Sequence, residues 1–363
     1  MKRSLIIILL LLCLASGKEV YSQATSPKYS NEFLAIGVGA KSLGMSNTGV
    51  AHVSDVTSGY WNPAGLLDIS SKYEFSLMHA EYFAGIAKYD YASFATPIDT
   101  SSHLGVSIIR FAIDDIPDTR FLYNANGAID YNNIRFFAAA DYAFIFSYAR
   151  KTSLVPGLKL GANFKIIHRN VGNFANAWGF GLDAGAQLKI KGWQLGLMVR
   201  DITGTFNAWS HNSELVVDIY TQTGNEIPEN SVEITLPKAT IGVSRYFNIK
   251  ERFGLLGALD LIASFDGKRN VLIKSDFASI DPNIGFEFNY LKKVFLRFGL
   301  GNFQEIKDFD ESTYTSYQPN FGLGIRINNV FIDYALTDIG DQSESLYSHV
   351  FSLKVAMDKF SDK

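Results

Sequence analysis

The chain has 363 residues, a formal net charge of −3, 14% aromatic side chains (28 Phe and 18 Tyr), 30 Gly, 9 Pro and one cysteine. That charge lacks the basic footprint a nucleic-acid partner requires, and a lone Cys13 leaves no disulfide framework. After the N-terminus, no stretch approaches the roughly 18 unbroken apolar residues of a membrane helix.

In chain order, the first predicted element is a secretory signal peptide. Lys2 and Arg3 supply its positive start, Leu5 to Ala15 its apolar stretch, and Val20-Tyr21-Ser22 the small residues for cleavage after Ser22. The rival, a lipid anchor on Cys13, is opposed by Leu12, which stands where a lipobox wants Gly, Ala or Ser. An exported chain without a membrane helix is periplasmic, secreted or an outer-membrane β-barrel. The Phe and Tyr content favours the barrel, whose two membrane interfaces carry aromatic girdles. About 340 mature residues without a linker or composition break read as one large barrel rather than two soluble domains. The expected organisation is a signal peptide at 1–22, a periplasmic or hatch segment at 23–72 and an outer-membrane barrel at 73–363.

The hatch segment is glycine-rich and mildly apolar from Gly37 to Leu67, ending in Trp61-Asn62-Pro63-Ala64-Gly65-Leu66. It is too small-sided to build a core of its own. Pro63 fixes its own φ and pushes Asn62 toward extended geometry. Asn62 can hydrogen-bond nearby backbone, and Gly59 and Gly65 permit close backbone approach. This motif admits three readings: a well-made turn leading into the first strand, a plug element, or a direct small-ligand contact.

From residue 73 onward the pattern has period two. In Trp178 to Ile190, large apolar residues alternate with Gly179, Gly181, Asp183, Gly185, Gln187 and Lys189. The runs 193–200, 284–290 and 321–327 repeat it. Alternate side chains of a strand face opposite sides of a sheet, so one face is apolar and the other small or polar, as a barrel in lipid requires. Strands are expected at 73–81, 87–97, 103–112, 135–149, 158–169, 177–190, 193–201, 238–247, 254–266, 282–290, 293–303, 319–327, 330–337 and 348–358. The apolar run Val271 to Ile273 is assigned to a connection, because single-chain bacterial barrels have even strand numbers. The fold class is therefore all-β, a 14-stranded antiparallel transmembrane β-barrel with a short N-terminal hatch. Short connections on one rim (191–192, 291–292, 328–329) and longer ones on the other (113–134, 202–237, 304–318), with 82–86 and 170–176 as brief exceptions, place the termini on the short-turn, periplasmic side. A barrel this wide is not filled by its own wall.

The N-terminal motifs Gly39-Ala-Lys-Ser-Leu-Gly-Met45, Gly49-Val-Ala51, Asp55 and Trp61-Asn-Pro-Ala-Gly-Leu66, with the closing strand Ser348 to Val355, resemble the PorV/PorQ family of Bacteroidetes outer-membrane proteins, within the broader FadL-like barrels. The resemblance implies a non-enzymatic barrel with a luminal hatch, in which Asp55, Trp61, Asn62, Pro63, Ala64 and Gly65 are the hatch-motif positions. It implies a part in type IX secretion, with translocon or attachment-complex proteins and exported cargo as partners beside the outer-membrane lipids. The competing function is a FadL-like channel for hydrophobic small molecules. Loop 202–237 carries Phe206, Trp209, Leu215, Val216, Val217, Ile219 and Tyr220, of which Phe206, Trp209 and Tyr220 are the expected partner contacts, since exposed apolar patches mark partner sites.

No chemistry-bearing constellation emerges. His52, His79, His103, His168, His211 and His349 lack zinc-ligand spacing, and Gly44 to Gly49 is no nucleophile elbow. The acidic groups Asp114, Asp115 and Asp118, and Asp308, Asp310 and Glu311, lack the pattern of a calcium loop. No catalytic residue, metal or cofactor is expected. The lumen-facing Asp183, Arg200, Glu287, Arg297 and Arg326 are expected to pair inside the barrel, hold the hatch or wet the lumen rather than perform catalysis.

Overall fold

The computed structural model describes residues 30–308, 311–337 and 347–358. The expected signal peptide, Cys13 and Asp310 lie outside these residues. The wall begins with β1 (Tyr73–Tyr82), β2 (Ala87–Pro97), β3 (Ser102–Asp118), β4 (Arg135–Lys151), β5 (Leu158–Val171), β6 (Ala175–Ile190) and β7 (Trp193–Arg200). It continues through β8 (Thr205–His211), β9 (Ser231–Thr235), β10 (Lys238–Ile249), β11 (Phe253–Ser264) and β12 (Ile273–Lys274). It ends with β13 (Ser279–Tyr290), β14 (Val294–Lys307), β15 (Thr313–Ile327), β16 (Val330–Thr337) and β17 (Ser348–Met357).

Every strand pairing is antiparallel, and β1 pairs with both β2 and β17, so the sheet closes on itself. The closed ring has 14 strands: β1 to β7, β10, β11 and β13 to β17. All fourteen coincide with the expected ones. Closure leaves no unpaired edge facing hydrocarbon, where each unsatisfied backbone group costs several kcal/mol. The alternation holds as well. Trp178, Phe180 and Leu182 on β6 and Phe321, Leu323 and Ile325 on β15 point outward, Trp178 51% and Phe321 49% exposed. Between them Gly179, Gly181, Gly185, Gly322 and Gly324 face the interior and are buried. Stacked outward aromatics such as Phe146, Phe164 and Phe180 run across adjacent strands. This exterior suits a lipid surface.

The structure corrects the expected connections in three places and the placement of one expected luminal charge. Residues 202–237 are not a free loop, because β8 continues the line of β7 and pairs with β6, and β9 pairs with β8. The rest of that connection contains a helix, Val217–Thr223. Ile273, assigned to a connection, begins the short β12, which pairs with Ser279 and Ile280. β3, β14 and β15 run farther than expected toward the long-connection rim, β3 and β14 through register shifts at Ile113/Ile116 and Gly301/Gln304. Arg326 forms no luminal ion pair among the described residues; it is exposed at the rim, bonds the Asn328 carbonyl (3.0 Å) and lies over the Phe331 ring (4.9 Å).

Candidate functional site: the luminal segment and the cavity beside it

Residues 30–69 pack against the inward face of the ring as short turns and helices: Glu32–Leu34, Ala40–Leu43, Ser58–Trp61 and Pro63–Asp68. The wall glycines make this possible. A Cβ added at Gly161 would come within 3.0 Å of Ala64 and Pro63, at Gly196 of Val50 and Ala51, and at Gly299 of Met45 and Ser46. Those glycines belong to β5, β7 and β14, so backbone meets backbone on several sides of the ring. The segment is itself a core: Val38, Ala40, Met45, Ala64 and Leu66 are fully buried.

The expected motif residues hold this packing together. Asn62 is 0% exposed. Its Nδ2 donates to the carbonyls of Val50 (2.9 Å), Ala186 (3.0 Å) and, more weakly, Leu197 (3.3 Å), while its Oδ1 accepts from the Ala64 N–H (3.2 Å). Asn62 thus caps the turn that follows, with Pro63 in its first position, and ties that turn to β6 and β7. Trp61 donates from Nε1 to the Val38 carbonyl (2.9 Å), and its ring stands edge-on to Tyr60 at 4.9 Å. Gly65 lies against the Val53 carbonyl, where a Cβ would collide. Asp55 accepts from Lys354 on β17 (2.7 Å) and from the Thr57 hydroxyl (2.5 Å).

Further ties come from residues that sequence reasoning did not single out. Asp260 on β11 accepts the N–H groups of Gly49 (2.9 Å) and Val50 (3.0 Å) through one oxygen. Gln187 donates to the Val50 and Val53 carbonyls, and Asn163 to Gly59 (2.9 Å). Glu74 accepts from the Val56 N–H (3.0 Å), and Asp68 pairs with Lys159 (2.5 Å) and Lys189 (3.0 Å). The period-two pattern had already given Gln187 a luminal face. Which backbone these residues bind follows only from the threading of the segment.

Of the expected luminal charges, Arg297 bonds Glu287 and Asp333 (2.7 Å each), and Asp183 bonds Lys165 (2.7 Å). Arg200 donates to the Leu34 and Tyr60 carbonyls and lies over the Tyr60 ring at 4.3 Å. Electrostatics within the segment follow from burial. Burial, with help from Lys41, pushes the His52 imidazole down to about 3, and its Nδ1 has no hydrogen-bond partner among the described residues. Burial raises the Asp55 carboxyl, but the Lys354 and Lys41 charges and the bonds from Lys354 and Thr57 outweigh it and hold the group well below the usual carboxylate range. Asp68 is held low in the same way by Lys159 and Lys189 against burial.

The segment fills the half of the lumen next to the short connections and, on the β1–β5 side, the other half too, where Phe33, Leu34 and Val38 cluster with Tyr82, Tyr89, Tyr91 and Ile109. Along β10 to β16 a cavity of about 360 Å³ remains. Ile36, Leu43, Val50 and Trp61 of the segment give it an apolar side, and Asn283, Asn302, Gln318 and Asn320 of the wall a polar one. Nearby the β6 ladder shifts register, with the Ile202 N–H still bonding the Leu182 carbonyl (2.9 Å). Phe206 pairs with Phe180 and Val199 with Ala184, so residues 200–205 bulge opposite 181–183. At this bulge Asp201 turns inward to Lys165 (2.6 Å), and a small cavity of about 40 Å³ lies inside it.

The expected partner contacts fall differently. Phe206 and Trp209 sit on β8, Phe206 outward against Phe180 (5.8 Å) and Trp209 donating to Glu233 (2.9 Å). Tyr220 is half-buried in the helix Val217–Thr223. Phe206 therefore extends the apolar exterior of the wall rather than standing in a free loop.

A closed antiparallel ring with an apolar outer face and a filled lumen defines a membrane-spanning β-barrel, and in its particulars the fold is FadL-like. The Ralstonia pickettii toluene transporter TbuX superposes with a TM-score of 0.53 at 14% identity, covering 88% of this chain and 98% of that one. The Pseudomonas putida toluene transporter TodX superposes with a TM-score of 0.54 at 12% identity (89% and 99% covered), and a Pseudomonas aeruginosa FadL homologue with 0.51 at 11% (88% and 98%). Identities this low carry the fold alone. No protein-family model matches the sequence, and no curated protein matches it significantly.

Proposed function

We propose that this protein is a non-enzymatic outer-membrane channel of the FadL-like kind, taking up small molecules with a hydrophobic body, with the segment 30–69 acting as its luminal hatch. The observation that carries the reading is the cavity of about 360 Å³ between Trp61, Val50, Leu43 and Ile36 of the segment and the wall, a size within the roughly 300–1,000 Å³ range of small-molecule sites. The bulge beside Asp201 supports it, since a lumen pocket near a register shift in the wall suits passage of a ligand between lumen and membrane. The test is permeation of a small aromatic such as toluene into proteoliposomes against protein-free vesicles. Uptake no faster than in protein-free vesicles would refute the channel.

The second reading is the PorV/PorQ-type role in type IX secretion, with exported proteins as partners. It draws on the N-terminal motif and on Phe121, Tyr123, Tyr131 and Phe136, which are 45–73% exposed on the long-connection rim. Such a patch suits protein docking. Deletion of the gene, and of any redundant paralogue, followed by proteomics of the cell surface, separates the two: normal surface cargo would end this reading.

A further inference from the structure

The short-connection rim carries charge that neither the hatch nor the cavity uses. Round the ring from β6 to β14, the turns between β6 and β7, β10 and β11, and β13 and β14 follow one another. These turns and the strand ends beside them hold Lys191, Arg245, Lys250, Arg252, Lys292 and Lys293, and Glu251 is the one acid in the turns. All but the half-buried Arg245 are exposed, and none of the six forms an ion pair among the described residues. The turns are also joined to one another. The Leu291 N–H donates to the Arg252 carbonyl (2.6 Å), and the Arg326 N–H to the Lys293 carbonyl (2.7 Å). The cations therefore form one arc rather than separate spots.

Two features say what the arc faces. The first is the placement of Arg245, which shares the outward face of β10 with Ile241 and Phe247. It stands opposite Trp193, the first residue of β7, and its guanidinium lies over the rings of Trp193 (5.0 Å) and Phe247 (5.2 Å). Phe253 and Tyr290, in contact at 5.1 Å, continue this row of exposed aromatics. Such a row marks the boundary between membrane and water. A long cationic side chain there keeps its stem on apolar surface and its charge among headgroups, on the lipid side of the wall. A soluble protein approaching the turn tips would not reach it. The second feature is the backbone. Lys191 (φ 49°), Lys250 (φ 47°) and Lys292 (φ 54°) sit in the left-handed region, where tight hairpin turns favour Gly, Asn or Asp. The turn between β15 and β16 takes that easier choice with Asn328 (φ 52°). What each lysine adds in its place is a positive charge at the membrane face.

We propose that this arc binds the anionic phospholipid headgroups of the inner leaflet, with phosphates on Arg245, Arg252 and Lys293 and acyl chains along Trp193, Phe247 and Phe253. Guanidinium and ammonium groups are strong donors to phosphate, and each basic residue near the bilayer surface favours an anionic lipid. The site goes beyond the channel reading and depends only on the barrel lying in a membrane.

The test is quenching of tryptophan fluorescence in the full chain reconstituted with brominated phosphatidylglycerol or brominated phosphatidylcholine. Trp193 lies on the arc, whereas Trp178 is on the same outer face toward the other end of β6. The arc's share of the signal is thus the part that Trp193→Phe removes. There phosphatidylglycerol should outcompete phosphatidylcholine by about 5-fold, the worth of one basic residue at the surface. Salt at about 1 M should erase the preference, because the screening length shrinks to about 3 Å. The pair Arg252→Gln and Lys293→Gln should bring the two lipids close to parity. Lys268→Gln with Lys307→Gln, which removes equal charge from exposed positions on the opposite rim, should leave the preference intact. Equal quenching by the two lipids in the unaltered chain would overturn the site. So would a preference that survives the first pair, or one lost equally with the second. Equal quenching together with salt-sensitive retention of the chain, in neutral bilayers, on immobilised poly-L-glutamate would give the arc to an acidic protein instead. Toluene permeation tests the channel separately, and neither result decides the other.

Discussion

Asn62 offers a sharp perturbation, because its amide joins the segment to two wall strands. In Asn62→Ala two well-made Nδ2 bonds are lost, to Val50 and Ala186, at about 1 kcal/mol each. The cap on Ala64 adds about 1 kcal/mol. The sum, about 3 kcal/mol, corresponds to roughly a hundredfold more frequent opening of the local structure. Asn62→Asp keeps the shape and the capping oxygen but turns a donor into an acceptor facing the carbonyls of Val50, Ala186 and Leu197. A carboxylate buried against three oxygens costs more than the missing bonds, so the near-isosteric aspartate is expected to do more harm than the alanine. Hydrogen–deuterium exchange over 44–67 reads this directly: exchange should rise in the order wild type, Asn62→Ala, Asn62→Asp, with β1 to β5 unchanged. An aspartate variant that exchanges like wild type would refute the reasoning.

Lys354→Met strands Asp55 and Glu74, whose partner sits 2.7 and 3.9 Å away. Lys354 and Asp55 are only 17% and 15% exposed, so the loss should reach about 2–3 kcal/mol at the segment, below the roughly 3–5 of a fully buried pair. Lys189→Met, removing a 49% exposed partner of Asp68, should cost under about 1 kcal/mol; equal exchange at Val56 and Thr57 in the two variants would contradict this ordering. Acidification should loosen the segment in two stages. His52, whose group is pushed down from 6.5 to about 3, takes its proton more readily when released, so stability falls as pH drops from about 6.5 toward 3. The depressed Asp55 contributes stability above its ordinary value of 3.8, and that is lost at still lower pH. Exchange at 44–61 that is flat between pH 7 and 4 would remove the first stage. Gly299→Leu drives a side chain into the Met45–Ser46 backbone and should expel or misfold the segment, whereas Gly257→Leu on β11, where a Cβ would meet only the Phe286 ring at 3.7 Å, should be tolerated. Proteolysis of both variants tests this.

The wall was legible because each strand carries its own evidence. The alternation in Trp178 to Ile190 needs no knowledge of a partner, and an inward Gly185 or Gly299 announces space. The connection 202–237 was misread for the opposite reason. Thr205–His211 and Ser231–Thr235 are short, their alternation is cut from β7 and β10 by the bulge at 201–204 and by Leu236-Pro237, and only pairing with β6 identifies β8 as wall. Arg326 obeys the luminal parity of its strand but lies beside the turn, where it bonds the Asn328 carbonyl instead. At the site, Trp61 to Gly65 stood out as a local motif. The atoms they bind, on Ala186 and Leu197, lie 124 and 135 residues away, and no local pattern encodes that pairing. The cavity was invisible for the same reason, since its lining is drawn from the segment and from β10 to β16.

The central claim is that residues 30–69 close the lumen of a small-molecule channel, and planar-bilayer conductance tests it most directly. The intact chain should show little steady conductance, and a chain lacking residues 23–69 a large and stable one, because the remaining wall encloses an unfilled lumen. Equal conductance of the two proteins would contradict the account.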